Sequence, residues 1–194
     1  MKLLYTKRSP YARKVRVIAL EKGITLALID EDLQKKSQRL LDANPLGKVP
    51  TLVLDNGDTI FDSSVICQYL DGLDAKLVII PHEARQRLEV LKWESFADDL
   101  VTSAINLYME KVRHPADFHQ DFVRTLENNI RISYGYIEKN LNTLKGFNLA
   151  SIAVASAIGY IHFRLPHLKV QGALAQWFEE ISRRPSMVQT IPEV

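Results

Sequence analysis

Apolar positions change their spacing several times over the first third of the chain. A short apolar run at residues 2–6 fits a strand. Over residues 10–22, Val15, Ile18 and Ala19 recur at helical steps and give one inner face. Arg13, Lys14 and Arg16 fall between them and read as a solvated, basic outer face. Gly23 supplies the stop, because the left-handed residue that closes a helix costs least as glycine. Residues 26–29 suit a second strand, and residues 35–43 a short charged helix ended by the turn Asn44-Pro45-Leu46-Gly47. Residues 51–54 and 59–61 flank Asn56-Gly57, a hairpin signal. Val65, Ile66, Tyr69 and Leu70 then return to helical spacing over residues 63–70. The predicted order is β-α-β-α-β-β-α.

The second half has a different character, with no strand signal from residue 83 onward. Leu88, Leu91, Leu100, Ala104, Ile105 and Tyr108 fit the inner face of a long helix ending before Pro115. Phe122, Leu126, Ile130, Ser133, Ile137 and Leu141 mark a second long helix. Residues 149–163 are apolar on nearly every side, the mark of a buried central helix. Trp177, Phe178 and Ile181 lie in a further helix, closed by Arg184-Pro185. The pattern divides the chain into an α/β domain over residues 1–74, a linker at 75–82 and an all-helical domain over 83–194.

Composition narrows the function classes. With 194 residues, 46% of them hydrophobic and 25% charged, the chain reads as a globular protein with a sizeable core. A net charge of +2 gives no electrostatic case for a nucleic-acid partner. One cysteine excludes an internal disulfide and points to a reducing compartment, so a cytoplasmic location is expected. No apolar run approaches the roughly 18 residues of a membrane span, and no membrane partner is expected. His82, His114, His119, His162 and His167 lack ligand spacing with acids or the cysteine, so no metal is expected.

Three polar turns remain as candidate chemistry: Ser9-Pro10, Val49-Pro50 and Asp62-Ser63-Ser64. Ser9 precedes a helix whose first position is Pro10, and Asp62-Ser63 opens another helix, so both suit N-caps. Their convergence would suit one small, acidic, peptide-like ligand, with fresh helix N–H groups meeting its carboxylates. Cys67 lies inside the following helix and reads as a small buried hydrophobe.

Ser9-Pro10-Tyr11-Ala12-Arg13-Lys14-Val15-Arg16, Asn44-Pro45-Leu46-Gly47-Lys48-Val49-Pro50 and Phe61-Asp62-Ser63-Ser64-Val65-Ile66 together resemble the cytosolic glutathione transferases. Trp177-Phe178-Glu179-Glu180-Ile181 with Arg184-Pro185-Ser186 extends the likeness to the tail. Serine at the first helix is similar to the bacterial YibF-like group. The resemblance implies a thioredoxin-like N-terminal domain, an all-α C-terminal domain and a homodimer. It implies glutathione as co-substrate and a small hydrophobic electrophile as acceptor. In that reading Ser9 is catalytic and stabilises the glutathione thiolate. A free thiol ionises near pH 8.5, and lowering that by about two units takes roughly 2.7 kcal/mol, within reach of a hydroxyl donor and a helix N-terminus. Val49, before a cis Pro50, would offer its backbone to the cysteinyl unit. Lys48 would meet the glycyl carboxylate, with Lys35 a weaker candidate. Asp62 and Ser63 would hold the γ-glutamyl end, although the family usually has glutamate where Asp62 stands. Tyr5 is the rival hydroxyl. Trp93, Phe96, Tyr108 and Phe163 would line an acceptor pocket or belong to the core. The alternatives are a non-catalytic glutathione-binding or protein-interaction module of the stringent-starvation type, or a glutathione-dependent isomerase or dehalogenase. The double-serine-cysteine signature of maleylacetoacetate isomerases is absent around Ser9. The family's capping box also departs from pattern, with Asn148 as cap and Ser151 in place of the acid.

Overall fold

The computed structural model describes residues 1–73 and 77–193. Its order is β1 (Lys2–Tyr5), α1 (Pro10–Glu21), β2 (Ala27–Asp30), α2 (Gln38–Ala43), β3 (Thr51–Val53), β4 (Thr59–Ile60) and α3 (Ser63–Gly72). Five helices follow: α4 (Ala84–Arg113), α5 (Gln120–Lys139), α6 (Leu149–Arg164), α7 (Gly172–Ser182) and α8 (Pro185–Val188). This is a thioredoxin-like α/β unit joined to an all-helical region, as the sequence pattern implies.

The strand order is β2-β1-β3-β4, with β1 parallel to β2 and antiparallel to β3, and β3 antiparallel to β4. Side chains alternate across β1, so its two faces feed different cores. Leu3 and Tyr5 join Val15, Ile18, Ile66 and Leu70 on the α1–α3 side. Leu4 points the other way and packs with Leu40 and Ala43 of α2. Gly23, at φ 65, closes α1, and Gly57, at φ 93, turns the β3–β4 hairpin.

Helix α6 is the centre of the helical region, buried continuously from Leu149 to Ile161. It packs between α1 and α4, so one apolar cluster runs through both halves of the molecule. Gly159 on α6 lies against the Arg13 guanidinium, which fills the space a Cβ at that position would occupy. The start of α6 carries a complete capping box. Asn148 accepts from the Ser151 N–H at 3.2 Å, while Ser151 Oγ accepts from the Asn148 N–H at 3.0 Å. The serine thus forms the reciprocal bond that an acid usually makes.

The expected linker at residues 75–82 begins outside the described residues, because 75 and 76 are not among them. Its described part is pinned. The Asp71 carboxylate accepts from the backbone N–H groups of Ile79 and Ile80 and from Lys22 Nζ. Ile79 and Ile80 are buried, and the Ile79 carbonyl accepts from Leu149 N–H.

Several local expectations give way to the structure. Helix α2 starts at Gln38 rather than Lys35, because Ser37 caps it by accepting from Leu40 N–H. Pro185 does not merely end α7; it is the first residue of α8. Leu88 on α4 and Phe122 on α5, both expected to face inward, are exposed. Arg13 and Lys14, read as a solvated face, are only 3% and 1% exposed. Helix α1 is flanked by the sheet and α3 on one side and by α6 and α8 on another, which leaves it little outer face.

Candidate functional site

Sheet topology brings the three polar turns to one edge. β1 runs antiparallel to β3, with Leu4 opposite Thr51, so the loop leaving β1 lies beside the segment entering β3. β4 runs antiparallel to β3, with Ile60 opposite Leu52, so the segment leaving β4 emerges at that same end. Ser9, Val49-Pro50 and Asp62-Ser63 occupy these three positions.

Ser9 caps α1: its Oγ accepts from the Ala12 N–H at 3.1 Å. That bond uses a lone pair of the hydroxyl and leaves its own proton free to donate. No acceptor for that proton lies among the described residues. The Val49-Pro50 bond is cis. The carbonyl of Lys48 accepts from Asn44 Nδ2 at 3.2 Å and Thr51 Oγ1 at 2.9 Å, which fixes the approach to the proline. The backbone N–H and C=O of Val49 have no backbone partner among the described residues. Lys48 is exposed and makes no ion pair there. The Phe61-Asp62 bond is also cis. Asp62, not Ser63, is the cap of α3, with Oδ1 accepting from the Ser64 N–H at 3.0 Å. Ser63 is therefore the first helical residue; it is only 2% exposed, and its hydroxyl has no hydrogen-bond partner among the described residues.

Tyr5, the rival hydroxyl, is packed in the sheet core with the Arg16 guanidinium 5.1 Å from its ring centroid. Cys67 is fully buried, and burial pushes its thiol well above the usual range, with the nearby Lys14 ammonium opposing. Beside Ser9, an open groove of about 520 Å³ runs past Lys7, Arg8, Asp30, Asp32 and Gln34 at the carboxyl ends of β1 and β2. Glu193 lies on its rim and meets Lys7 Nζ at 3.0 Å.

An ionic cluster behind the site was not foreseen. Lys14 Nζ donates to Glu94 Oε1 at 2.8 Å and to both Asp98 oxygens at 2.9 and 2.7 Å. Burial works against the Lys14 ammonium, but its bonds to the Asp98 and Glu94 carboxylates outweigh it and hold it charged. Asp98 is pushed above the usual carboxylate range by burial, with Glu94 and Asp62 adding to the rise and Lys14 opposing it. One cation thus serves two carboxylates, leaving a surplus negative charge that faces Asp62. Ser64 Oγ donates to Asp98 at 3.5 Å and joins the cluster to the start of α3. A signal for it existed in the sequence: Glu94 and Asp98 are four apart on one helix face, an arrangement that repels unless a cation comes from elsewhere.

The four aromatic candidates separate into two groups. Trp93 and Phe96 stack with Tyr136 of α5, with centroids 5.3–5.5 Å apart, and Trp93 is core. Tyr108 and Phe163 instead flank Arg164 at the end of α6, 4.8 and 4.4 Å from its guanidinium. Tyr11, two residues after Ser9, places its hydroxyl 2.9 Å from Thr102 Oγ1 of α4, the helix that also carries Tyr108.

Residues 8–73 match the family model of the glutathione S-transferase N-terminal domain. The chain is 35% identical over 168 residues to the uncharacterized GST-like protein YibF of Escherichia coli K12, covering 84% of this chain and 83% of that one. A glutathione transferase family member from Pseudomonas fluorescens Pf-5, solved with bound glutathione, superposes with a TM-score of 0.91 at 33% identity, over 100% of this chain and 99% of that one. A glutathione S-transferase from Methylobacillus flagellatus KT, also with glutathione bound, gives a TM-score of 0.91 at 32% identity and 99% coverage of both.

Proposed function

Because the chain belongs to the glutathione S-transferase family, we propose that it binds glutathione at the Ser9, Val49 and Asp62 turns and conjugates it to small electrophiles. The observation that carries the catalytic part is the free hydroxyl proton of Ser9. Its Oγ caps α1 through a lone pair, so its O–H donates to the sulfur at the positive end of the same helix. Both effects favour thiolate over thiol. The thiol proton passes to solvent, a sulfur–carbon bond forms, and the leaving group departs with the electron pair of the bond it breaks.

The ends of the tripeptide follow from charge. The backbone of Val49, without a backbone partner among the described residues, pairs with the cysteinyl unit, and Lys48 receives the glycyl carboxylate. The γ-glutamyl carboxylate meets the Ser63 hydroxyl and the first N–H groups of α3. Its ammonium meets the second oxygen of Asp62, and the surplus negative charge at Asp98 favours the same position. A cytoplasmic homodimer completes the reading. Phe61 and Val65 on the α/β unit and Leu88, Ile132 and Tyr136 on the helical one are exposed apolar side chains that self-association would cover.

Ser9→Ala is the test. We expect glutathione affinity by calorimetry to change less than about threefold, the bound-thiol pKa to rise by about one to two units, and kcat/KM with an aryl halide to fall at least about tenfold. An unchanged thiol pKa with unchanged turnover would remove Ser9 from the chemistry. Tight glutathione binding by the wild type without turnover across an electrophile panel would favour a binding module.

A further inference from the structure

Arg164 is the last residue of α6 and packs against Tyr108 of α4. Its guanidinium stacks on the rings of Tyr108 and Phe163 and donates to the Tyr108 hydroxyl at 3.3 Å. Its Nε is sealed from solvent and has no hydrogen-bond partner among the described residues. Arg39 and Arg184, by contrast, meet Glu31 and Glu21. Arg164 meets no carboxylate among the described residues, although it is half-buried. A partly desolvated guanidinium without an anion costs free energy that a bound anion would recover.

Its surroundings connect it to the sulfur position. Tyr108, on which Arg164 stacks, shares α4 with Thr102. Tyr11 stands two residues after Ser9, with its hydroxyl held against Thr102. An apolar group extending from a sulfur at Ser9 past Tyr11 and along α4 would run toward Tyr108 and the guanidinium stacked on it.

We propose that Arg164, framed by Tyr108 and Phe163, binds a carboxylate on the acceptor substrate, so that the preferred electrophiles are small apolar or aromatic molecules bearing one carboxylate. This rests on the conjugation reading above and names the substrate class it leaves open. The planar guanidinium gives two parallel donors to a carboxylate, and the flanking rings hold the apolar body. A helix-end arginine also complements the helix dipole, but that role needs neither ring and does not distinguish one ligand from another.

Two glutathione conjugates that differ in one group decide the matter: S-(4-carboxybenzyl)glutathione and S-(4-carbamoylbenzyl)glutathione, titrated calorimetrically beside glutathione itself. The wild type is expected to bind the carboxylate about ten- to a hundredfold more tightly than the carboxamide. In Arg164→Leu that preference falls to about twofold or less, while glutathione affinity stays unchanged and reports an intact fold. Arg164→Lys keeps the charge but loses the planar fork, and retains only part of the preference. Equal affinities for the two conjugates in the wild type, or a preference that survives Arg164→Leu, overturn the proposal and leave the glutathione reading standing. Failure of the wild type to bind glutathione at all overturns both.

Discussion

His162 accepts a hydrogen bond from Val170 N–H at its Nε2, 3.1 Å away, and stands edge-on to Phe178. Burial pushes its pKa down from 6.5 to about 4, with Lys169 adding to the effect. Between these values the unfolded chain binds a proton that the folded chain refuses, so stability falls as pH drops from about 6.5 to about 4. Urea midpoints measured across that window should decline in the wild type. The decline should be smaller in His162→Gln, whose amide oxygen keeps an acceptor but does not titrate. Parallel curves would assign the whole decline to carboxylates. At this scale the sequence is a partial guide. Ser9, Asp62 and Cys67 behave as their residue types suggest, because capping and burial are local properties. Lys14 and Arg13 do not. Their positions follow from acids and a carbonyl 80 to 174 residues away in sequence, and helical periodicity carries no information about them.

Helix α6 shows how an element can be certain while its energetics are not. Its apolar composition identifies a buried helix at once. The strength of its N-terminus depends on a reciprocal bond that serine completes. Replacing the cap, Asn148→Ala, should cost about 1 kcal/mol in urea unfolding, as loss of a capping side chain usually does. A cost near zero would mean that the Ile79 carbonyl, which accepts from Leu149 N–H, suffices to anchor this end. Other elements were legible in kind but not in extent. α2 starts three residues late because Ser37 offers the better cap, and α8 exists because proline suits a first helical turn as well as it ends the previous helix.

Across the whole molecule, α1 is the shared wall. One face builds the sheet core, another packs on α6, and Lys14 reaches α4. Lys14→Met would leave the buried Glu94 and the half-buried Asp98 together without their cation. It should destabilise the protein by about 3–5 kcal/mol, with Glu94→Gln in the same chain restoring part of the loss. A loss below about 1 kcal/mol would show that the cluster relaxes toward solvent. The convergence of the three turns was legible through the family resemblance of their motifs, and strand order is the physical reason they share an edge. The Lys14 cluster and the Arg164 position were not, since each is defined by partners from different helices.

Arg13 and Gly159 carry a consequence for how such a chain diverges. The guanidinium sits where any side chain at 159 would have to go, and it also donates to the Met187 carbonyl at 3.1 Å. A substitution at 159 collides unless position 13 has shortened or the Arg13 guanidinium swings aside and gives up its bond to Met187. Shortening 13 first opens a gap beside α6 and leaves that carbonyl only the longer bond from Thr190 Oγ1, at 3.3 Å. Each residue is therefore the other's permission: the route from this pair to a different one must pass through a worse protein, or change both at once.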